Sequence, residues 1–220
     1  SAPTTVTFNF SSDLRIANAT SVVPLTAPAT GLAVVDSTPD MNFTAPSCFA
    51  AVPGSTDKIL VGERNGKIWL IPDIHAAAPT KQLFIDLAAV VNARTALSET
   101  FHDDGNELGL KGMALHPQFA TNGQFFVTYN FRISGAMHAR VSRWLAVSGN
   151  LDLGDTASEQ PFITQPNPSS IHNIDSCHFG PDGYLYWSAG DAGGLNDGNN
   201  NSQRIDKDFW AGIFRIDVDR

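Results

Sequence analysis

Residues 172–191 read HNIDSCHFGPDGYLYWSAGD. A strand-like run, SCHF, ends at Pro181, a Pro-Asp-Gly turn follows, and a second run, YLYWSA, leads to Asp191. Proline cannot donate to a β-ladder, and Pro-Asp-Gly suits a tight turn, so the segment reads as two antiparallel strands and a short connection. A third run, AGIFRIDVD at 211–219, follows a loop rich in Gly and Asn.

The same plan recurs twice upstream. Pro53, Pro117 and Pro181 are evenly spaced at 64 residues. CFAAVP leads to KILVGERN, GKIWLIPD and KQLFIDL; KGMALHP leads to QFFVTYNF, ARVSRWLAV and EQPFITQ. Each run alternates or is continuously apolar, and the turn signals PGSTD, ATNG and PDG separate the first two strands of each unit. Four strands in radial repetition is the plan of a β-propeller blade. The expected class is therefore all-β: a β-propeller of four-stranded blades, about three of them, near 43–100, 107–165 and 172–220. An irregular leader rich in Pro, Thr, Ala and Ser occupies 1–40. The best helical candidate, FIDLAAVVNARTA at 84–96, is weakened by its β-branched residues. The third unit reaches Arg220 before a fourth strand, and an open propeller leaves strand edges unpaired. The expectation is a piece of a longer propeller.

The chain of 220 residues carries a net charge of −8, which argues against nucleic acid or an anionic membrane as the main partner. No apolar run approaches the roughly 20 residues that span a bilayer. The opening SAPTTVTFNF has no charged n-region or apolar h-region and reads as a start after signal removal, or as a linker. Asn9, Asn18, Asn42 and Asn200 begin N-x-S/T sequons. Together these features point to a secreted or periplasmic protein. Cys48 and Cys177 are the two cysteines. They read as buried thiols, with a disulfide open to them in an oxidising compartment.

The usual nucleotide and hydrolase signatures are missing: no G-x-G-x-x-G after a strand, no P-loop, no G-x-S-x-G and no H-E-x-x-H. What remains is His172 at the head of an inner strand and Asp191 at the exit of the next. A carboxylate that fixes an imidazole tautomer makes the histidine a general base. The plain alternatives are a histidine bonding a neighbouring loop and an aspartate capping a turn. Asp197, Asn199 and Asn201 follow a D-x-N-x-N spacing with Asp208 at the twelfth position, but Ser202 replaces the glycine of an EF-hand loop. His116 and His178, near the repeat prolines, read as structural. Glu107, in GNELGLKG, reads by itself as a solvated loop carboxylate.

With these pieces assembled, the chain resembles the soluble glucose/sorbosone dehydrogenases, six-bladed propellers that bind pyrroloquinoline quinone (PQQ). The matching stretches are ERNGKIWLI at 63–71, ELGLKGMALHPQFATNGQFFVTYN at 107–130, HNIDSCHFGPDGYLYWSAGDAGG at 172–194 and GIFRIDVD at 212–219. The resemblance implies the N-terminal half of such a propeller, with PQQ and calcium as cofactors. It places His172 on the catalytic base and Asp191 on the acid that orients it. It places Glu107 on a cofactor contact and Asn196 on the pocket wall; no metal ligand is assigned. The implied substrate is an aldose or related alcohol, and the implied electron acceptor a cytochrome or quinone. Two residues depart from the pattern. Many relatives carry small residues shortly after the histidine, where this chain has Ile174 and Asp175, which would narrow the channel or repel an anionic quinone. Animal relatives act as binding proteins, so a non-catalytic secreted propeller binding a glycan or protein on its loop face is the alternative. A lactonase-type hydrolase would need a central metal held by several blades.

Overall fold

The computed structural model describes residues 4–5, 22–23, 36, 38, 40–103, 107–202, 204 and 206–220. The chain falls into two units, residues 1–37 and 38–220. In the first, β1 (Thr4–Thr5) pairs antiparallel with β2 (Val22–Val23). The sequons at Asn9 and Asn18 lie outside the described residues.

In the second unit the runs of the repeat form antiparallel strands, with additions to the middle sheet. β3 (Pro46–Ala51), β4 (Ile59–Glu63), β5 (Lys67–Ile71) and β6 (Gln82–Asp86) form one antiparallel sheet in sequence order. In the turn between β3 and β4, the Ser55 hydroxyl accepts the N–H groups of Asp57 and Lys58, each at 3.1 Å. The helix after β6 is shorter than the 84–96 pattern suggests. Phe84 and Ile85 are strand residues in the core, and α1 spans only Leu87–Asn92. Asp86 divides the two by capping the helix, its carboxylate accepting the Ala89 N–H at 2.9 Å.

The second sheet is larger than four strands. Its elements are β7 (Glu99–Phe101), β8 (Leu110–Leu115), the single turn α2 (Phe119–Asn122), β9 (Gln124–Ile133), β10 (Ala136–Val147), β11 (Asn150–Gly154) and β12 (Gln160–Pro166). The strands β8, β9, β10 and β12 make the expected blade. β7 continues the ladder on β9 beyond the end of β8, and β11 folds back on the far end of β10. Neither was visible as a repeat element, because both are short additions to one long hairpin. The third sheet, β13 (Ile174–Phe179), β14 (Leu185–Ala189) and β15 (Gly212–Ile216), is three-stranded.

The lead strands β3, β8 and β13 pack beside one another. At Gly112 the approach leaves no room for a side chain: a Cβ would lie 2.7 Å from the Asp175 carbonyl oxygen and 2.8 Å from the Cys177 nitrogen. Two apolar layers separate the sheets. One gathers Leu60, Ile68, Leu70, Phe84, Met113, Phe125, Val127, Tyr129 and Trp144; the other gathers Phe126, Ala139, Val141, Ile174, Cys177, Leu185 and Trp187. Phe125, Val127 and Tyr129 face the first layer and Phe126 the second, so β9 is buried on both faces. That is the physical reason its sequence, QFFVTYNF, is continuously apolar rather than alternating. The resulting architecture is a partial β-propeller.

A buried ionic cluster fastens the additions to the middle blade. The Arg140 guanidinium donates to Glu99 Oε1 at 2.7 Å and to the Tyr129 hydroxyl at 3.1 Å. That hydroxyl donates to Glu159 Oε1 at 2.6 Å, and Arg94 pairs with both Glu99 and Glu159. Burial alone would raise the Glu99 carboxyl, but Arg140 and Arg94 hold it below the usual carboxylate range. Burial also raises Tyr129 well above a free phenol.

Cys48 and Cys177 are free thiols, the first half-buried and the second buried. Burial pushes Cys48 up to about 11 and Cys177 higher, so both are protonated and unreactive near neutral pH. His116 has the structural role expected of it. Its Nδ1 accepts the Gln118 N–H at 3.0 Å, and its ring packs edge-on against Phe179.

Candidate active site

His172 stands two residues before β13 with φ of 55°, a left-handed backbone that costs a non-glycine residue on the order of 1 kcal/mol or more. Its contacts hold it there. The His172 N–H donates to Glu107 Oε2 at 2.5 Å, and its carbonyl accepts the Ala192 N–H at 3.0 Å. The imidazole Nδ1 lies 2.7 Å from Asp191 Oδ1. Gly190 makes this approach possible, since a Cβ there would sit 2.5 Å from the His172 carbonyl oxygen. The His172 side chain is 47% exposed and that of Asp191 20%. Nε2 has no partner among the described residues.

Asp191 is held in turn. Its Oδ1 also accepts the Gly193 N–H at 3.0 Å, and its carbonyl accepts the Asn201 amide at 2.8 Å. The bond from His172 keeps the Asp191 carboxyl below its usual 3.8, burial works against this, and the Gly193 N–H adds to the lowering. A depressed carboxyl contributes stability that is complete above the usual value and is lost as pH falls through the folded one. An acid titration followed at the Asp191 carboxyl carbon by NMR is therefore expected to give a midpoint below 3.8. A midpoint at or above that value would mean that the pair is not formed in solution.

Glu107, 65 positions from His172 in sequence, is brought into the site by the loop that leads into β8. Asn196 is not brought against the pair. It is exposed, with φ of 56°, beside Leu195, which is 91% exposed. Ile174 does not narrow the site. Its side chain is 1% exposed and belongs to the apolar layer between the second and third sheets. Asp175 is the exposed member of the two, with Lys111 Nζ 3.9 Å away.

The side chains of the D-x-N-x-N loop bond within its own turn and to neighbouring backbone. Asp197 Oδ1 accepts the N–H groups of Asn201 at 2.9 Å and Ser202 at 3.1 Å. Asn199 donates to the carbonyls of Ala192 and Gly193, and Asn201 Oδ1 accepts from Lys207 at 2.7 Å. Among the described residues no three His, Cys, Asp or Glu side chains could share a metal. The sequence reading missed a second pair flanking His172 in sequence: Asn167 and Asn173, both buried, joined amide to amide. Their only signal was two asparagines in a polar loop, which any surface loop can show. An apolar cleft of ≈ 710 Å³ bounded by Leu83, Val90 and Leu153 contains none of these residues. No helix among the described residues is long and apolar enough to cross a membrane.

Comparison with known proteins places this geometry in context. A family model described as Glucose / Sorbosone dehydrogenase matches residues 43–219. The HIPL2 protein of Arabidopsis thaliana is 28% identical over 210 residues, covering 77% of this chain and 28% of the relative. The Hedgehog-interacting protein of Mus musculus is 29% identical over 121 residues, covering 52% of this chain and 17% of its own length. Among solved structures, the PQQ-bound aldose sugar dehydrogenase of Streptomyces coelicolor superposes with a TM-score of 0.59 at 20% identity. The match covers 81% of this chain and 46% of that one, and at this identity it shows the fold. The chain thus spans less than half the length of each of these proteins.

Proposed function

The chain belongs to the glucose/sorbosone dehydrogenase family, and from that premise we propose that it is part of a PQQ-dependent oxidoreductase acting on an aldose or related alcohol. The observation that carries the proposal is the 2.7 Å contact between His172 Nδ1 and Asp191 with the other ring nitrogen unengaged. An Nδ1–H held by a carboxylate leaves the lone pair on Nε2, the tautomer a base needs. As a substrate hydroxyl proton moves to Nε2, the ring becomes cationic, and Asp191 offsets that charge at hydrogen-bond distance. Asp191 is the better placed to do so because its depressed carboxyl stays ionised throughout the neutral range.

The open imidazole nitrogen beside the Glu107 carboxylate fits an approaching alcohol hydroxyl, and Asn196 lies exposed on the adjoining loop. When bound, PQQ supplies the electron-accepting chemistry that no side chain can. Glu107 and Asn196 are the residues proposed to line its pocket. Calcium is proposed as the second cofactor, as the family resemblance implies, with no ligand residue assigned. A cytochrome or quinone is proposed as electron acceptor, and secretion or the periplasm as location.

A second reading is a secreted propeller that binds a glycan or protein through its loop face. It is favoured by the similarity to the HIPL2 and Hedgehog-interacting proteins. One experiment separates the two. The intact protein is titrated with PQQ in the presence of calcium and assayed for aldose-dependent dye reduction. Saturable PQQ uptake with sugar-dependent turnover is the expected result. Folded protein that takes up no PQQ would overturn the proposal and leave the binding propeller.

A further inference from the structure

The structure assigns Glu107 a role in positioning His172, by holding its backbone N–H. Three features of the loop that carries Glu107 support this. Leu108 is buried, with 1% exposure. Gly109 has φ of 99°, and a Cβ there would lie 2.2 Å from the Arg64 carbonyl oxygen, so the chain is wedged against the first sheet. That same carbonyl accepts the Leu110 N–H at 3.0 Å, and the Gly109 carbonyl accepts the Asn130 N–H from β9 at 3.1 Å. The loop is thus bolted to the first and second sheets, and the Glu107 carboxylate reaches from it to the residue that opens the third, at 2.5 Å.

The consequence follows from the left-handed backbone at His172. A histidine in that conformation relaxes to an ordinary extended or helical one unless its polar groups are engaged. Three bonds set its place: N–H to Glu107, carbonyl from Ala192 N–H, and Nδ1 to Asp191. The last two both come from the 190–192 segment, so among the described residues Glu107 is the one restraint supplied by another blade. Removing its acceptor lets the His172 backbone rotate and carries the ring away from Asp191. An acceptor is what the geometry requires, and a carboxamide oxygen meets that need as a carboxylate does.

The test is made on the full chain with histidine labelled by nitrogen-15, comparing wild type, Glu107→Ala and Glu107→Gln. In wild type the His172 amide is expected to exchange with solvent on the order of tenfold or more slowly than an unstructured amide. In Glu107→Ala the His172 ring nitrogens are expected to move toward the averaged shifts of a free imidazole. Glu107→Gln should restore the wild-type shifts. Unprotected exchange in wild type would overturn the assignment without any variant having to fold. Unchanged ring shifts in Glu107→Ala, or equal loss in Glu107→Gln, would also overturn it. The kinetic arm alone rests on the dehydrogenase reading: at saturating PQQ, with cofactor occupancy matched to wild type, kcat is expected to fall roughly 10- to 100-fold in Glu107→Ala with little change in KM for the sugar, as misplacement of a reacting group does. Ring shifts that respond as expected in a protein with no dehydrogenase activity would sink that reading and leave the positioning role standing.

Discussion

His172→Ala is expected to reduce aldose-dependent turnover of the intact, PQQ-loaded protein by about 10²–10⁴-fold, the contribution a general base makes. The Asp191→Asn variant should lose less, because the amide can still meet Nδ1 while no longer offsetting a charged ring. Neither change should unfold the protein. The His172 side chain is half exposed, and its backbone bonds to Glu107 and Ala192 survive truncation at Cβ. Steady-state kinetics of the loaded protein with matched thermal unfolding curves makes the comparison. Turnover within a fewfold of wild type in His172→Ala would remove the base from the mechanism. If both variants lose PQQ affinity in proportion to turnover, the pair serves binding and not proton transfer.

The second large effect is on stability. Arg140→Met is expected to destabilise the second unit by about 3–5 kcal/mol near neutral pH, the usual result of removing one partner from a buried ion cluster. Arg140 and Glu99 are both nearly inaccessible, at 5% and 7% exposure. Without Arg140, Glu99 and Glu159 share the single remaining guanidinium of Arg94. The penalty should shrink on acidification. Glu99 lies below its usual 4.5 in the native protein, so its contribution is complete above that value and is lost as pH falls through the folded one. Urea unfolding at neutral pH and near pH 4 tests both statements. For contrast, Lys58→Met breaks the ion pair to Asp152, whose two side chains are each 35% exposed, and should cost no more than about 1 kcal/mol. Equal midpoints for wild type and Arg140→Met would show that the cluster contributes nothing net.

Much of this molecule is legible along the chain, for reasons that can be named. The strand plan is local: PGSTD and PDG carry their own turn chemistry, and β4 and β5 alternate because one face of each is buried. The even spacing of Pro53, Pro117 and Pro181 then makes the repeat visible. Local chemistry gives out where an element borrows its partner. β7 exists only because the far end of β9 offers an open ladder, and β11 only because β10 outruns its blade. The helix expected at 84–96 loses its first turn to β6, because Phe84 and Ile85 gain more by packing in the core than by helical bonding.

At the site, the pattern of a histidine before one strand and an aspartate after the next is written in residues 172–191, since consecutive antiparallel strands bring those two ends together. Tertiary packing decided the rest. Whether Ile174 faced the channel or the core depended on the irregular register at the start of β13, and the second sheet supplied the apolar layer that took it in. Nothing in GNELGLKG says that Glu107 reaches across 65 residues to the His172 amide, because that contact exists only once Gly109 is wedged against Arg64 and the lead strands stand side by side. Strand identity follows from periodicity and turns, which are properties of neighbours in sequence. The engagement of a single carboxylate follows from how three sheets close on one another, which is a property of neighbours in space.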